Sequence, residues 1–419
     1  MTAHARTRSL VAVDTELEDF TERLFGHLPR ADQRRWARVY LQGLLTTPGK
    51  KSVRRLAASV TDSPTASQSL QQFINSSPWD WDQARLELLR WAEERHTVHS
   101  WTITEAIFPK RGAHSVGVHR RFDPVVGRSL NCQLGYGLFL SRDGLSVPVD
   151  WRLLLPDTWA ADPALRRRAG ISPEAVLPTP ESLVLTLVEA IATRTGAAHA
   201  PVVADLSRLG EAAALVGALD RSGHDFLVSV PPSLSVAAAG LTLGTTVDRS
   251  EPSGNRRDRR AAGDFARMGN ISHPYAPPLT GSHGGSQRLR IQSGLVRLPD
   301  AEPGRRPGIR RPYRLFADRR PTPGSRTGQI WLTNMTEHRM DDLLRLIRQS
   351  AGSTRTLGTL ADDFGLFDFE GRSFRGWHHH MTLMSAAYAY RSLQVRDRAQ
   401  DRQPLDGSRT ALDHGRRSA

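Results

Sequence analysis

The sequence predicts an α/β fold that is preceded by a helical domain. Up to about residue 95, apolar residues recur at the spacing of amphipathic helices. From Trp101 onward, short segments rich in β-branched residues alternate with helical segments, which is the order expected of an α/β core. A stretch rich in Arg, Gly and Pro then precedes the last predicted strand, and this composition favours an insertion.

These patterns divide the chain into six segments. They are a flexible arm (1–14), a helical domain that is a candidate for DNA binding (15–95), the first part of the core (96–231), the insertion (232–325), the last part of the core (326–394) and a disordered tail (395–419). The tail is predicted to be disordered because it is charged and terminal.

The charge of the chain points to a polyanionic partner. Lys and Arg number 57 against 43 acidic residues, which gives a formal net charge of +14. Double-stranded DNA is the first candidate for such a partner. The cations are nearly all Arg, with Lys only at positions 50, 51 and 110. Arginine suits phosphate recognition, but the bias equally fits a GC-rich genome, since Ala and Gly are also frequent.

Several classes of protein are excluded by simple features of the sequence. The single cysteine, Cys132, excludes an intramolecular disulfide framework and a Cys-rich zinc site. The charged N-terminus lacks the apolar segment of a signal peptide. No apolar run reaches the length of a membrane span. We therefore expect a cytoplasmic, nucleoid-associated protein with no membrane partner.

Short helices in the first domain suggest a DNA-reading unit. Residues 32–45, 52–60 and 65–75 each show helical spacing, and Thr61 to Pro64 separates the last two. Two short helices around a tight turn resemble a helix-turn-helix. On the second of them, Gln68 and Gln71 are candidates for reading base edges. The alternative is a plain helical bundle whose polar residues face solvent.

The segment from Trp101 to Val118 combines a strand with a basic turn. Trp101 to Ile107 has the alternation and β-branching of a strand, and Glu105 lies inside it. Lys110 and Arg111 follow at once. A carboxylate beside a cationic turn suits a site that handles phosphate and metal together. The alternative is an edge strand with one solvated Glu.

The rest of the core is predicted from similar patterns. One of the later strands ends on a second carboxylate, Asp205, which is a candidate catalytic and metal-binding residue. The predicted strands are 131–141, 147–155, 201–205, 225–231 and 329–334, and the predicted helices are 180–195, 211–221, 340–349 and the segment ending at 393. The first three strands, counting Trp101 to Ile107, should form an antiparallel meander.

Clustered histidines and arginines mark the last segment. His378, His379 and His380 are adjacent on a predicted helix, where successive side chains diverge by roughly 100°, so the three cannot chelate one ion. Packing or a phosphate contact is expected instead. We take Arg372, Arg375, His378 and His379 as candidate DNA contacts, together with Lys110 and Arg111. The arginines of the insertion suit either a phosphate-tracking surface or a partly disordered loop.

Ten short blocks in order along the chain resemble bacterial insertion-sequence DDE transposases. Each block is weakly specific, but the ordered set covers the chain from about residue 20 to residue 393. The blocks are Lys51–Val53, Gln68–Phe73, Ser77–Asp80, Phe108–Val118, Asn131–Gln133, Pro148–Pro156, Val202–Asp205, Trp331–Asn334, Gly365–Leu366 and Phe369–His380.

The resemblance implies an RNase H-like core that is split by an insertion after its second acidic residue. Three carboxylates in such a core hold two divalent metals, Mg²⁺ or Mn²⁺, which clamp the attacking and leaving oxygens of a phosphoryl displacement. The family cleaves DNA and transfers the freed 3′ hydroxyl to target DNA. Such enzymes usually work on paired DNA ends as dimers, so a homodimer is expected.

This chain departs from the family at two of the three acidic positions. The first falls on Thr104, with Glu105 as its neighbour, and the third falls on Thr354 within Ala351–Arg355. Only the second is kept, as Asp205. Strand neighbours point to opposite faces, so Glu105 is a poor substitute for an acid at 104 unless a bulge re-aims it.

Three functions remain open on the sequence. The first is a transposase-family DNA-binding protein with impaired cleavage. The second is an active transposase that uses shifted acids, namely Glu105 and Asp205 with Asp362 or Asp363. The third is an interaction scaffold without DNA, which predicts no salt-dependent binding to duplex DNA.

Overall fold

The computed structural model describes residues 15–123, 127–197, 199–239, 259–268, 271–275, 289–299, 311–318 and 329–400. The predicted arm (1–14), much of the insertion and the end of the tail (401–419) lie outside the described residues. The start of the predicted tail differs from expectation, because residues 395–400 continue the last helix.

Helices form the first part of the described chain. The first, α1, covers residues 15–25, and it is followed by α2 (Ala31–Thr46), α3 (Val53–Ala58), α4 (Ala66–Asn75) and α5 (Trp81–Arg95). The Asp80 carboxylate caps α5 by accepting the backbone N–H groups of Asp82 and Gln83. The apolar stripe that predicted α4 is buried, as its residues Leu70, Phe73 and Ile74 show.

A meander of antiparallel strands begins the sheet, as predicted. Its strands are β1 (Ser100–Pro109), β2 (His119–Asp123), β3 (Arg128–Arg142) and β4 (Leu145–Leu153). β3 pairs with β1, β2 and β4, in each case antiparallel. The strand β2 was not among the strands predicted from the sequence.

Parallel strands follow the meander. Three helices, α6 (Asp157–Ala161), α7 (Pro163–Ala169) and α8 (Pro180–Arg194), lead to β5 (Val202–Asp205), α9 (Ala212–Arg221) and β6 (Phe226–Val230). β5 pairs parallel with both β1 and β6. The sheet is therefore mixed, and the predicted α/β class with N-terminal helices is confirmed.

The described part of the insertion extends this same sheet. It contains β7 (Ser235–Ala238), β8 (Arg259–Ala261), α10 (Ala262–Met268), β9 (Ile271–Tyr275), β10 (Leu289–Arg297) and β11 (Tyr313–Asp318), and β12 (Gln329–Thr333) follows. The strand order is β2-β3-β1-β5-β6-β12-β11-β10-β7-β8, with β4 paired to β3 and β9 to β10. Of the arginine run 256–260, only Arg259 and Arg260 lie within the described residues.

Two long helices close the structure. α11 (Met340–Asp363) is longer than the predicted helix 340–349. Gly352 lets it approach β4 closely, because a Cβ there would lie 2.8 Å from the Ser146 Oγ. α12 (Phe374–Gln400) packs against both β4 and the helical domain. None of the described helices is long and apolar enough to cross a membrane.

A buried arginine joins the helical domain, the sheet and α12. The Arg85 guanidinium on α5 donates to the Asp150 carboxylate on β4 at 2.8 Å and to the Trp151 carbonyl at 2.8 Å. It also donates to the Thr382 hydroxyl at 2.9 Å and to Nδ1 of His378 at 3.1 Å. Arg85 is only 2% exposed, so this network fixes three elements to one another within the core.

Candidate functional site

A cavity of about 740 Å³ opens where β1, β5 and α11 meet. It contains all three positions at which the resemblance places acidic residues. Its polar and charged lining residues are Thr102, Thr104, Glu105, Asp205, Arg208, Gln329, Arg348, Ser350, Ser353 and Thr354. The three positions therefore lie together in the fold, although two of the three expected acids are hydroxyl residues.

Hydroxyl groups from β1 and α11 bond directly to one another. The Thr104 Oγ1 lies 2.6 Å from the Ser353 Oγ, and the Ser353 Oγ donates to the Ser350 carbonyl at 2.6 Å. Because the serine proton is used in that bond, Thr104 is the donor to Ser353. The neighbouring Thr354 is exposed and lines the cavity from its solvent side. Sequence reasoning named Thr354, but Ser353 is the residue that touches Thr104.

Asp205 ends β5 and lines the cavity. The parallel register pairs Ile103 with Ala204, so one further step brings Thr104 level with Asp205 on the neighbouring strand. The Asp205 Oδ1 accepts the backbone N–H of Ser207 at 3.0 Å, and Oδ2 accepts the Gln329 amide at 3.2 Å. Asp205 is exposed. Among the described residues, no cationic side chain forms an ion pair with its carboxylate, in contrast to Glu105.

Glu105 is held by two arginines. Its Oε1 lies 3.2 Å from the Arg121 guanidinium on β2 and 3.3 Å from the Arg208 guanidinium after β5. The carboxylate side chain is only 17% exposed. Burial, and then the Glu105 charge, raise the pKa of Tyr136, the residue opposite Glu105 on β3. Glu105, the first acid of the shifted set, is therefore already neutralised by the protein.

The other shifted acids lie away from the cavity. Asp362 and Asp363 are at the end of α11, eight and nine residues beyond Thr354, which is about 12 Å along a helix axis. The Asp363 carboxylate pairs with Arg391 of α12 at 2.7 Å. Neither aspartate contributes to the cavity lining. The alternative that used one of them as the third metal ligand does not agree with this geometry.

The donor set of the cavity does not fit the two-metal site that the resemblance implies. Mg²⁺ and Mn²⁺ prefer anionic oxygen ligands. The cavity offers Asp205, a Glu105 already paired with two guanidinium groups, and hydroxyls that carry no charge. Within the described ranges, no group of three or more His, Cys, Asp or Glu side chains is placed to hold a metal ion.

The predicted DNA contacts divide into exposed and buried residues. Gln68 and Gln71 are exposed on α4, and Arg111, Arg372 and Arg375 are also exposed. The start of α12 lies against the end of α4, because Arg375 donates to the Ser76 carbonyl at 3.3 Å. Of the candidate residues, these five are therefore available on the surface.

His378 and His379 require a correction, because both are buried. His378 is 2% exposed and His379 is 0% exposed. The His379 ring stacks on Trp79 with centroids 3.8 Å apart, and its two nitrogens face the Ile74 and Trp79 carbonyls. Burial lowers the pKa of His379 to about 3, so the ring is neutral at pH 7. A neutral, enclosed ring cannot reach a DNA phosphate, and the packing alternative agrees with the structure.

Lys110 is also engaged within the protein. Its Nζ donates to the Phe369 carbonyl at 2.7 Å, and the side chain is half-buried. Burial lowers the pKa of Lys110 to about 8, against the opposing effect of the nearby Glu370 and Asp368 carboxylates. The structure thus gives Lys110 a partner inside the chain, whereas its neighbour Arg111 faces solvent.

The cationic residues at the site, Arg121, Arg208 and Arg348, were not predicted from the sequence. Arg121 lies on the unpredicted strand β2, and nothing in its local sequence indicates a partner. Arg208 had a weak signal, because it falls where the resemblance expects a run of small residues after the second acid. Arg348 on α11 lines the cavity as well.

Comparison with known proteins gives a match to a family model and a distant likeness to a solved structure. The family model described as "DDE superfamily endonuclease" matches residues 23–277, more than half of the chain, and the match ends before α11. A search of curated proteins found no match. Among solved structures, a piggyBac transposase synaptic complex with hairpin DNA is 11% identical, over 91% of this chain and 78% of that chain. Its TM-score of 0.38 is too low to support any functional conclusion. The chain belongs, on the family match, to the DDE superfamily of endonucleases.

Proposed function

We propose that this chain is a DNA-binding protein of the bacterial insertion-sequence transposase type whose strand-cleavage activity is impaired. The observation that carries the proposal is the hydrogen bond between Thr104 and Ser353. Thr104 stands at one of the three positions where metal-binding carboxylates are expected, and Ser353 directly precedes Thr354, which stands at another. A hydroxyl pair brings no negative charge to a divalent cation, so metal affinity should be very low.

The strand order of the sheet supports an RNase H-like core, which is part of this proposal. In such a core, an antiparallel meander is followed by strands parallel to its first strand. The order β4-β3-β1-β5-β6, with β5 and β6 parallel to β1, agrees with that arrangement. The described strands of the insertion enter between β6 and β12, after Asp205, where the resemblance places an insertion.

Charge within the cavity supports impairment independently of the hydroxyl pair. DDE enzymes typically use divalent metal ions, which an anionic pocket attracts. Here Arg121 and Arg208 pair with Glu105, and Arg208 and Arg348 both line the cavity. The guanidinium groups supply positive charge where a metal would otherwise supply it, so they oppose metal entry through Coulomb repulsion.

Exposed polar and basic residues support binding to DNA. Gln68 and Gln71 lie on the surface of α4, and Arg372 and Arg375 lie in or near the first turn of α12. The Ser373 hydroxyl donates to the Asn75 carbonyl at 3.1 Å, which ties the two elements together. With a formal charge of +14 on the chain, this region is the candidate DNA surface.

Cleavage is tested with supercoiled plasmid and Mn²⁺, comparing the natural protein with Asp205→Ala. We expect no nicking by the natural protein above the level of the variant, because Asp205 alone cannot assemble a two-metal site. The rate is measured from the conversion of supercoiled to open-circular DNA on a gel. Nicking that disappears in Asp205→Ala would contradict the proposal and favour the active enzyme that uses shifted acids.

Binding is tested in the same samples by native gel and by salt titration. We expect the triple variant Arg111→Ala, Arg372→Ala, Arg375→Ala to bind duplex DNA more weakly. The slope of log affinity against log salt should fall by about 0.9 for each DNA phosphate that the variant no longer neutralises. Arg345→Ala, an exposed arginine on α11, is the matched control. If the natural protein shows no salt-dependent binding to duplex DNA, the result would favour the scaffold function.

A further inference from the structure

An arginine that lines the cavity has no bonding partner within the described part of the chain. Arg348 is exposed on α11 and contributes to the cavity lining. Among the described residues, none accepts a hydrogen bond from its guanidinium or forms an ion pair with it. One turn earlier on the same helix, Arg345 pairs with Asp342 at 3.2 Å. The N–H donors of Arg348 are therefore available to a ligand in the cavity.

Two further donor groups line the same cavity. The Arg208 side chain is 44% exposed, and its Nη1 bonds to the Glu105 carboxylate at 3.3 Å. A guanidinium has five N–H donors, so this bond leaves most of them for a second partner. The Thr354 hydroxyl is exposed, and no hydrogen bond within the described residues uses it. Guanidinium and hydroxyl donors together suit the oxygens of a phosphate group.

The charge of the site favours an anion over a cation. Arg121 and Arg208 both contact Glu105, so two positive charges cover one negative charge. Arg348 adds a third guanidinium to the site, and Asp205 adds the second carboxylate. Three guanidinium groups therefore face two carboxylates, which leaves a positive net charge where a metal-binding site would be strongly negative.

We propose that the cavity binds a phosphate group without metal ions, and that Arg348 and Arg208 hold this group. The phosphate belongs to a nucleic acid strand or to a free phosphate, since both present the same oxygens to a guanidinium. The volume of about 740 Å³ lies within the range of small-molecule sites, so a nucleotide can be enclosed. The inference rests on the proposed function, because it takes the cavity to be a site where metal ions no longer bind.

Asp205 distinguishes this site from a working metal site. In a metal site its carboxylate would be a ligand, so its loss would abolish any phosphate binding that depends on the metal. In a metal-free site the same carboxylate repels the phosphate. Asp205→Asn removes the charge, and it keeps an oxygen that can accept the Ser207 N–H, which Asp205 accepts at 3.0 Å. The two kinds of site therefore predict opposite effects of this substitution.

Isothermal calorimetry in EDTA tests the proposal on the full chain. The probes are inorganic phosphate in one arm and a thymidine dinucleotide, which carries a single phosphodiester, in the other. We expect saturable binding of at least one probe. Arg348→Ala should weaken it at least about tenfold, the usual effect of losing a charge-assisted hydrogen bond. Asp205→Asn should strengthen it by about threefold or more. Tighter binding of the dinucleotide assigns the site to a nucleic acid strand, and equal or tighter binding of inorganic phosphate assigns it to free phosphate.

Arg345→Ala is the matched control for the loss of charge. Arg345 lies on the same helix, is 62% exposed and does not line the cavity, so its replacement should change the affinity by less than about twofold. No saturable binding of either probe in EDTA, unchanged binding by Arg348→Ala, or weaker binding by Asp205→Asn would overturn this inference and leave the proposed function intact. Binding that requires Mn²⁺ and disappears in Asp205→Asn would contradict both, because the metal site would then be working.

Discussion

Replacement of Arg85 by alanine should lower the free energy of unfolding by about 3–5 kcal/mol, the usual cost of breaking a buried ion pair. Arg85 is 2% exposed, and its partner Asp150 is 5% exposed. Alanine removes the donor at 2.8 Å from the Asp150 carboxylate and leaves buried oxygen atoms without their cation. Arg152 still forms an ion pair with Asp150 at 2.8 Å in the variant. We therefore expect the loss in the free energy of unfolding not to exceed this range.

Urea denaturation followed by tryptophan fluorescence measures this effect. Arg90→Ala is the matched control, because Arg90 lies on the same helix with 53% of its side chain exposed. The control should change stability by less than about 1 kcal/mol. A loss of less than about 1 kcal/mol in Arg85→Ala would show that the network does not stabilise the junction of α5, β4 and α12.

Acidification from pH 7 to pH 5 should destabilise the protein by at least about 4 kcal/mol through its buried histidines, since burial lowers the pKa of His378 well below its usual value as it does for His379 and His380. Burial lowers the pKa of His379 to about 3 and that of His380 to about 4. Unfolded histidine titrates near 6.5, so the unfolded chain binds protons at pH 5 that the folded chain excludes. Each residue therefore contributes about 2 kcal/mol at pH 7 that is lost as pH falls through this window.

The slope of stability against pH identifies the histidines as the cause. His380 donates from Nε2 to the Gly365 carbonyl at 3.0 Å and accepts at Nδ1 from the Tyr40 hydroxyl at 2.9 Å, which is the pattern of a neutral ring. In His380→Gln, the slope between pH 4.5 and pH 6 should fall by about 1.4 kcal/mol per pH unit. The exposed His338→Gln should keep the full slope. Equal slopes in both variants would contradict this explanation.

Local sequence patterns predicted much of the fold. The apolar stripe of α4 and the meander of β1, β3 and β4 follow from the regular spacing of apolar residues along the sequence. The extension of α11 to Asp363 was not predictable in this way, because Gly352 and Gly358 weaken its helical pattern. Close packing against β4 favours the helix there despite the low propensity of glycine.

The site was predictable in its backbone positions but not in its charges. Thr104, Asp205 and Thr354 meet at one cavity, as the resemblance implied. The pairing of Glu105 with Arg121 and Arg208 depends on contacts between residues 16 and 103 positions apart, which no local pattern records. The burial of His379 likewise depends on Trp79, 300 residues away in the chain.

Mn²⁺ binding, measured by calorimetry, tests the proposed loss of the metal site most directly. We expect the natural protein to show no saturable binding that is removed by Asp205→Ala. The variant Thr104→Asp, Thr354→Glu should gain such binding, because it returns two carboxylates to the cavity beside Asp205. Saturable Mn²⁺ binding by the natural protein that disappears in Asp205→Ala would contradict the proposal, because the existing residues would then form a working metal site.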